Sequence, residues 1–144
     1  MRNLLLLICT LMAFTGNLNA QQKQEPWNNS QLMTTKVLAD KILKNETGNI
    51  LILSVGPDAV IKGSVDIGPA REEENRNKLT DYLKDVPRDK EVVIYCGCCP
   101  FDRCPNIRPA FSALNKMGFK NARLLDIPKN IKVDWLDKGY PSND

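Results

Sequence analysis

Three segments of strand length recur along the chain, Ile50–Leu53, Glu91–Tyr95 and Ala122–Leu125, the first two apolar without a break from Ile50 and from Val92, separated by stretches with helical spacing. Continuous apolar runs of this kind suit strands covered on both faces, as in the interior of a parallel sheet. Between them, Thr35–Lys44 predicts a helix capped by Thr34 or Thr35, with Leu38 and Ile42 sharing a face with Val37. Arg71–Lys84 predicts a second helix whose buried side carries Leu79, Tyr82 and Leu83, followed by Val86 and stopped by Pro87. Glu72, Glu73 and Glu74 fall in its first turn, where they complement the helix dipole; this solvated helix start is preferred to a metal site. Beyond the second strand, Pro109 suits a first helical turn, and Phe111, Leu114 and Met117 form a core stripe ended by Gly118. Val133–Lys138 predicts a short last helix ended by Gly139, with Trp135 and Leu136 available for packing. Alternating helices and apolar strands predict an α/β fold, a central, mostly parallel sheet with helices on both faces.

The amino terminus follows a different pattern. Arg2 precedes the apolar run Leu4–Phe14, which is too short to span a bilayer and reads as a secretory signal peptide over residues 1–20. Cys9 lies within that run and follows Ile8, where a lipoprotein signal wants a small residue, so it is not taken as a lipidation site. The expected organisation is therefore a signal peptide at 1–20, a polar lead-in segment at 21–31 and one domain at 32–144. A periplasmic or secreted location is expected, with no membrane attachment after signal cleavage. The mature chain would carry 124 residues, 19 basic and 17 acidic, with no concentrated basic stripe, so nucleic acid is not expected as a partner. A monomer is expected.

Composition narrows the chemistry further. The chain has no histidine, which excludes Ser-His-Asp triads, Cys-His dyads and zinc sites that need imidazole. The four cysteines beyond residue 20, Cys96, Cys98, Cys99 and Cys104, lie within nine residues directly after the second strand. Dispersed cysteines would staple a small fold, whereas clustered ones mark a site. Cys96 falls at the carboxyl end of a strand, where open α/β sheets bind ligands and the next helix offers free N–H groups. Backbone dipoles there, with Arg108 or Arg103 folded inward, would favour the thiolate and hence a nucleophile. Arg108, at the junction of loop and helix, is the first candidate for binding an anionic substrate; Arg103 is the second. Asp102 is given no role.

Val92-Val93-Ile94-Tyr95-Cys96 resembles the strand that enters the active-site cysteine of the rhodanese-like superfamily. Lys62-Gly63-Ser64-Val65-Asp66-Ile67-Gly68-Pro69-Ala70 is similar to that family's Gly-His-Ile-Pro-Gly-Ala segment, and Met117-Gly118-Phe119 and Asp134–Pro141 follow in the family's order. The resemblance runs from about Leu32 to Pro141 and implies a three-layer rhodanese-like fold. It also implies sulfur transfer, in which a Cys96 persulfide carries sulfane sulfur from thiosulfate or a similar donor to an acceptor thiol or other nucleophile, with no cofactor. Two departures stand out: the loop Gly97–Pro105 is long and adds three cysteines, and Ser54-Val55-Gly56 replaces the family's Asp-x-Arg feature. Three alternatives stay open: thiol–disulfide exchange through Cys96-Gly97-Cys98-Cys99, soft-metal binding by the Cys96–Cys104 cluster, and a catalytically inactive binding module. Cys98, Cys99 and Cys104 are the candidate resolving or disulfide cysteines, a Cys99–Cys104 disulfide pinning the loop being one arrangement. No metal is expected.

Overall fold

The computed structural model describes residues 24–143; the segment expected as a signal peptide, 1–20, lies outside them. Five strands form one fully parallel sheet: β1 (Leu32–Thr34), β2 (Ile50–Ser54), β3 (Val65–Asp66), β4 (Glu91–Tyr95) and β5 (Asn121–Asp126), in the order β1-β5-β4-β2-β3. Three helices lie between them, α1 (Thr35–Leu43), α2 (Glu73–Leu83) and α3 (Ile107–Lys116), and the single turn α4 (Ile131–Asp134) follows β5.

Side chains alternate between the two faces of each strand, and this divides the core in two. Leu53, Val92, Ile94 and Leu124 pack under Leu79 and Leu83 of α2 and under Phe111 and Leu114 of α3. Ile52, Val93, Tyr95 and Leu125 pack on the other side with Leu38 and Ala39 of α1 and with Trp135. Both faces of β2 and β4 are therefore covered, which accounts for their unbroken apolar runs. The result is the expected three-layer α/β architecture.

Three side chains differ from the helical patterns read in the sequence. Val37 is 46% exposed and Tyr82 44% exposed, because the buried centre of each helix falls between Leu38 and Ile42, and between Leu79 and Leu83. At about 100° per residue, Val37 and Tyr82 are turned to the flanks. Leu136 is likewise 41% exposed, since α4 ends before it and Leu136–Lys138 forms a separate 3₁₀ turn, while Trp135 is buried. The edge strand β1 lacks a pattern of its own, being three residues long and held through β5 by the pairs Leu32–Leu124 to Thr34–Asp126.

The segment before β1 is docked. The Trp27 ring lies 6.4 Å from that of Phe101 and 5.7 Å from that of Phe111, joining the lead-in to the cysteine loop and to α3. Among the described residues, no helix is long and apolar enough to cross a membrane.

Candidate active site

The strand β4 sets the position of Cys96. Tyr95 turns toward α1, and its hydroxyl accepts a hydrogen bond from the Ile61 amide at 3.1 Å and pairs with Ser64 Oγ at 2.9 Å. One residue on, Cys96 turns to the opposite face, beneath α2 and α3, where it is 1% exposed. Gly56 passes so close that a Cβ there would lie 2.7 Å from Cys96 Sγ. The glycine is thus required by close approach to the sulfur.

The loop after Cys96 is anchored on the neighbouring β5–α4 connection. Gly97 carbonyl oxygen accepts from Ile131 N at 2.9 Å, and Phe101 N donates to Ile127 O at 3.1 Å. A 3₁₀ turn at Phe101–Arg103 then reverses the chain, and Cys104 returns to the core. This path brings the sulfur atoms of Cys96, Cys98 and Cys104 within 4.8 Å of one another. Cys98 Sγ lies 3.4 Å from Cys96 Sγ and 3.0 Å from Cys99 Sγ. All four are free thiols, Cys96 and Cys104 buried and Cys98 exposed. Cys104 is turned inward into the core, while Cys99 Sγ lies against Cys98 Sγ.

Asn106 completes the arrangement. It stands at the amino end of α3 but caps nothing with its side chain. Instead Nδ2 donates to Cys96 Sγ at 3.4 Å, and Oδ1 accepts from the Arg71 amide at 3.0 Å. Sequence reasoning missed both Asn106 and Gly56. An asparagine before a helix reads as a cap, and a glycine after a strand reads as a turn.

These contacts polarise the cluster. The Cys96 thiol is lowered from 9.0 to about 5, chiefly by the Cys104 thiol, against the opposing effect of burial; the Cys98 backbone amide, the Asn106 amide and the Cys98 thiol add to the lowering. Cys98 is pushed up to about 12, mainly by burial and then by Cys99 and Cys96. Cys104 is raised as well, first by its interaction with Cys96 and then by burial. One buried thiolate surrounded by protonated neighbours is the state these groups favour.

The cations do not converge on it. Arg108 Nη2 bonds the Glu25 carboxylate at 2.5 Å and the Asp102 carbonyl at 2.6 Å, with its guanidinium 5.6 Å from the Trp27 ring centroid. It ties the lead-in to the loop. Arg103 is exposed on the 3₁₀ turn. The thiolate is therefore supported by amide and thiol donors, where the sequence suggested guanidinium groups. Ser54, in place of an ion-pairing aspartate, donates to Asp58 O at 2.7 Å. As for metals, Cys96, Cys98 and Cys104 have the mutual spacing that a soft ion would need, and Cys99 is not required for it.

No family model and no curated protein sequence matches this chain. Solved structures do. A complex of an EanB variant with hercynine matches with a TM-score of 0.59 and 17% identity over 83% of this chain, and wild-type EanB with 0.57 and 16% over 78%. The single-domain sulfurtransferase RDL2 of Saccharomyces cerevisiae matches with 0.51 and 17% over 76% of this chain and 90% of its own. The fold is rhodanese-like. Against EanB, the chain spans less than a third of the longer protein, 29% and 27% in the two structures. Within the rhodanese-like fold, the cysteine cluster occupies the turn between a central strand and the helix that follows it.

Proposed function

We propose that the protein is a sulfurtransferase. The Cys96 thiolate attacks the sulfane sulfur of thiosulfate or a similar donor, expels sulfite (or the donor's corresponding leaving group) with the electrons of the broken bond, holds the sulfur as a persulfide and passes it to a thiophilic acceptor such as a small thiol. The observation that carries this reading is a buried sulfur at the end of β4, given a hydrogen bond by Asn106 and favoured as thiolate near neutral pH. That state supplies a nucleophile without histidine. The likeness in fold to the sulfurtransferase RDL2 supports it. The chemistry requires no cofactor, and Arg103 is the exposed cation nearest in sequence to the cluster for drawing in an anionic donor. An exported location is part of the proposal.

The test is mass spectrometry of the reduced protein after thiosulfate treatment. Uptake of one sulfur atom at Cys96, seen as a retained persulfide or as its discharge product with one equivalent of sulfite released, and lost in Cys96→Ser, is the expected result. Transfer to an acceptor that survives Cys96→Ser within about tenfold would overturn the reading, since loss of a nucleophile costs far more.

A second reading, dithiol redox chemistry, draws on the 3.4 Å contact between Cys96 and Cys98. A reversible loss of two hydrogens under an added disulfide oxidant, without sulfur gain from thiosulfate, would favour it.

A further inference from the structure

The loop places a second thiol against the proposed persulfide. Cys96 is 1% exposed and is closed in by its own loop. Cys98 is exposed, and its Sγ lies 3.4 Å from Cys96 Sγ. That separation falls in the near-attack range of about 3–3.5 Å for reacting atoms. Cys104, by contrast, is fully buried, its sulfur within 4.8 Å of that of Cys96. Cys99 is in contact with Cys98 at 3.0 Å.

We propose that Cys98 is a resolving thiol that discharges the Cys96 persulfide inside the loop, releasing hydrogen sulfide and closing a Cys96–Cys98 disulfide. This inference rests on the sulfur-transfer reading above. Cys98 sulfur attacks the inner sulfur of Cys96–S–SH; the new Cys96–Cys98 bond forms as the bond to the outer sulfur breaks. The outer sulfur leaves with the electrons of that bond and takes up the proton that Cys98 carries, departing as hydrogen sulfide. The sulfane sulfur is reduced, the two cysteines are oxidised, and no outside oxidant enters the step. Resetting the site requires a dithiol reductant, which exchanges with the disulfide from its exposed Cys98 side. The partner implied is therefore a reduced dithiol protein or small dithiol, and the product is sulfide.

The experiment loads the reduced protein with thiosulfate in the absence of oxygen and of any acceptor thiol. Wild type is expected to release one equivalent of sulfide and to lose two hydrogens, mapped to a Cys96–Cys98 bond. Cys98→Ser and Cys98→Ala are expected to stall with one extra sulfur on Cys96, with sulfide release slowed by about tenfold or more. Cys99→Ser is expected to release sulfide as wild type does. Unslowed release from both Cys98 variants, or a disulfide mapped to Cys96 and Cys104, overturns the resolving role and leaves sulfur transfer standing. Absence of any sulfur gain in the Cys98 variants, together with no sulfide from wild type, overturns both readings.

Discussion

Asn106 Nδ2 donates to Cys96 Sγ at 3.4 Å while Asn106 Oδ1 holds the Arg71 amide at 3.0 Å, so one buried amide links the nucleophile to the entry of α2. The link predicts two separable effects of substitution. Asn106→Ala removes a donor to the thiolate, so the pH at which Cys96 becomes alkylated by iodoacetamide moves upward. It also leaves the Arg71 amide without its partner, which costs about 1–3 kcal/mol of stability in chemical denaturation. An unchanged alkylation profile would show that Asn106 only supports the fold.

Close approach at Gly56 gives a second prediction. Gly56→Ala would place a Cβ 2.7 Å from Cys96 Sγ and 3.3 Å from Cys96 Cα, and the backbone neighbour cannot yield as a flexible side chain would. The expected cost is about 1–3 kcal/mol, typical of overpacking, with alkylation of Cys96 and sulfur loading both reduced. Gly48→Ala, where nothing lies within 4 Å, is the control.

The thiol cluster makes stability depend on pH with a defined sign. Cys96 is depressed from 9.0 to about 5, so its contribution is full above pH 9 and is lost as pH falls through 5. Cys98 is raised from 9.0 to about 12, so its contribution is full below pH 9 and is lost as pH rises through 12; Cys104, also raised, has the same sign. Together they predict stability that climbs between pH 5 and 9 and declines above. Under reducing conditions, subtracting the denaturation profile of Cys96→Ser from that of wild type should isolate this peak. A flat difference would contradict it.

Arg108 and Glu25 predict a coupling that belongs to stability. Their 2.5 Å pair is partly shielded, at 24% and 33% side-chain exposure, and sits beside Trp27. A double-mutant cycle of Arg108→Ala and Glu25→Ala should give a coupling of about 1 kcal/mol, allowing for the solvent that reaches both groups. Thermal denaturation of the four proteins measures it.

The parallel sheet was legible because strands buried on both faces must be apolar without interruption, as Ile50–Leu53 and Val92–Tyr95 are. Helix faces were less so. Val37, Tyr82 and Leu136 are apolar or aromatic at positions adjoining a buried face, and hydropathy alone does not distinguish a flank from a centre. Cys96 was legible from its place after β4, whereas the partners of Arg108 were not. Its salt bridge joins residues 83 positions apart, and nothing local announces such a pair.

By itself, the sequence determined that chemistry here is cysteine chemistry. Without histidine, and with four cysteines gathered after one strand, no other nucleophile had comparable support. Only the tertiary structure decided how the thiols sit relative to one another. Spacing along the chain makes Cys98 and Cys99 equivalent neighbours of Cys96, but the loop's anchors at Ile127 and Ile131 and its return at Cys104 turn the sulfur atoms of Cys98 and Cys104 toward Cys96. Charge stabilisation was settled the same way. Proximity in sequence suggested Arg103 and Arg108, while the fold supplied Asn106, Cys104 and a backbone amide, because hydrogen bonding to a buried sulfur depends on direction and distance that only packing sets.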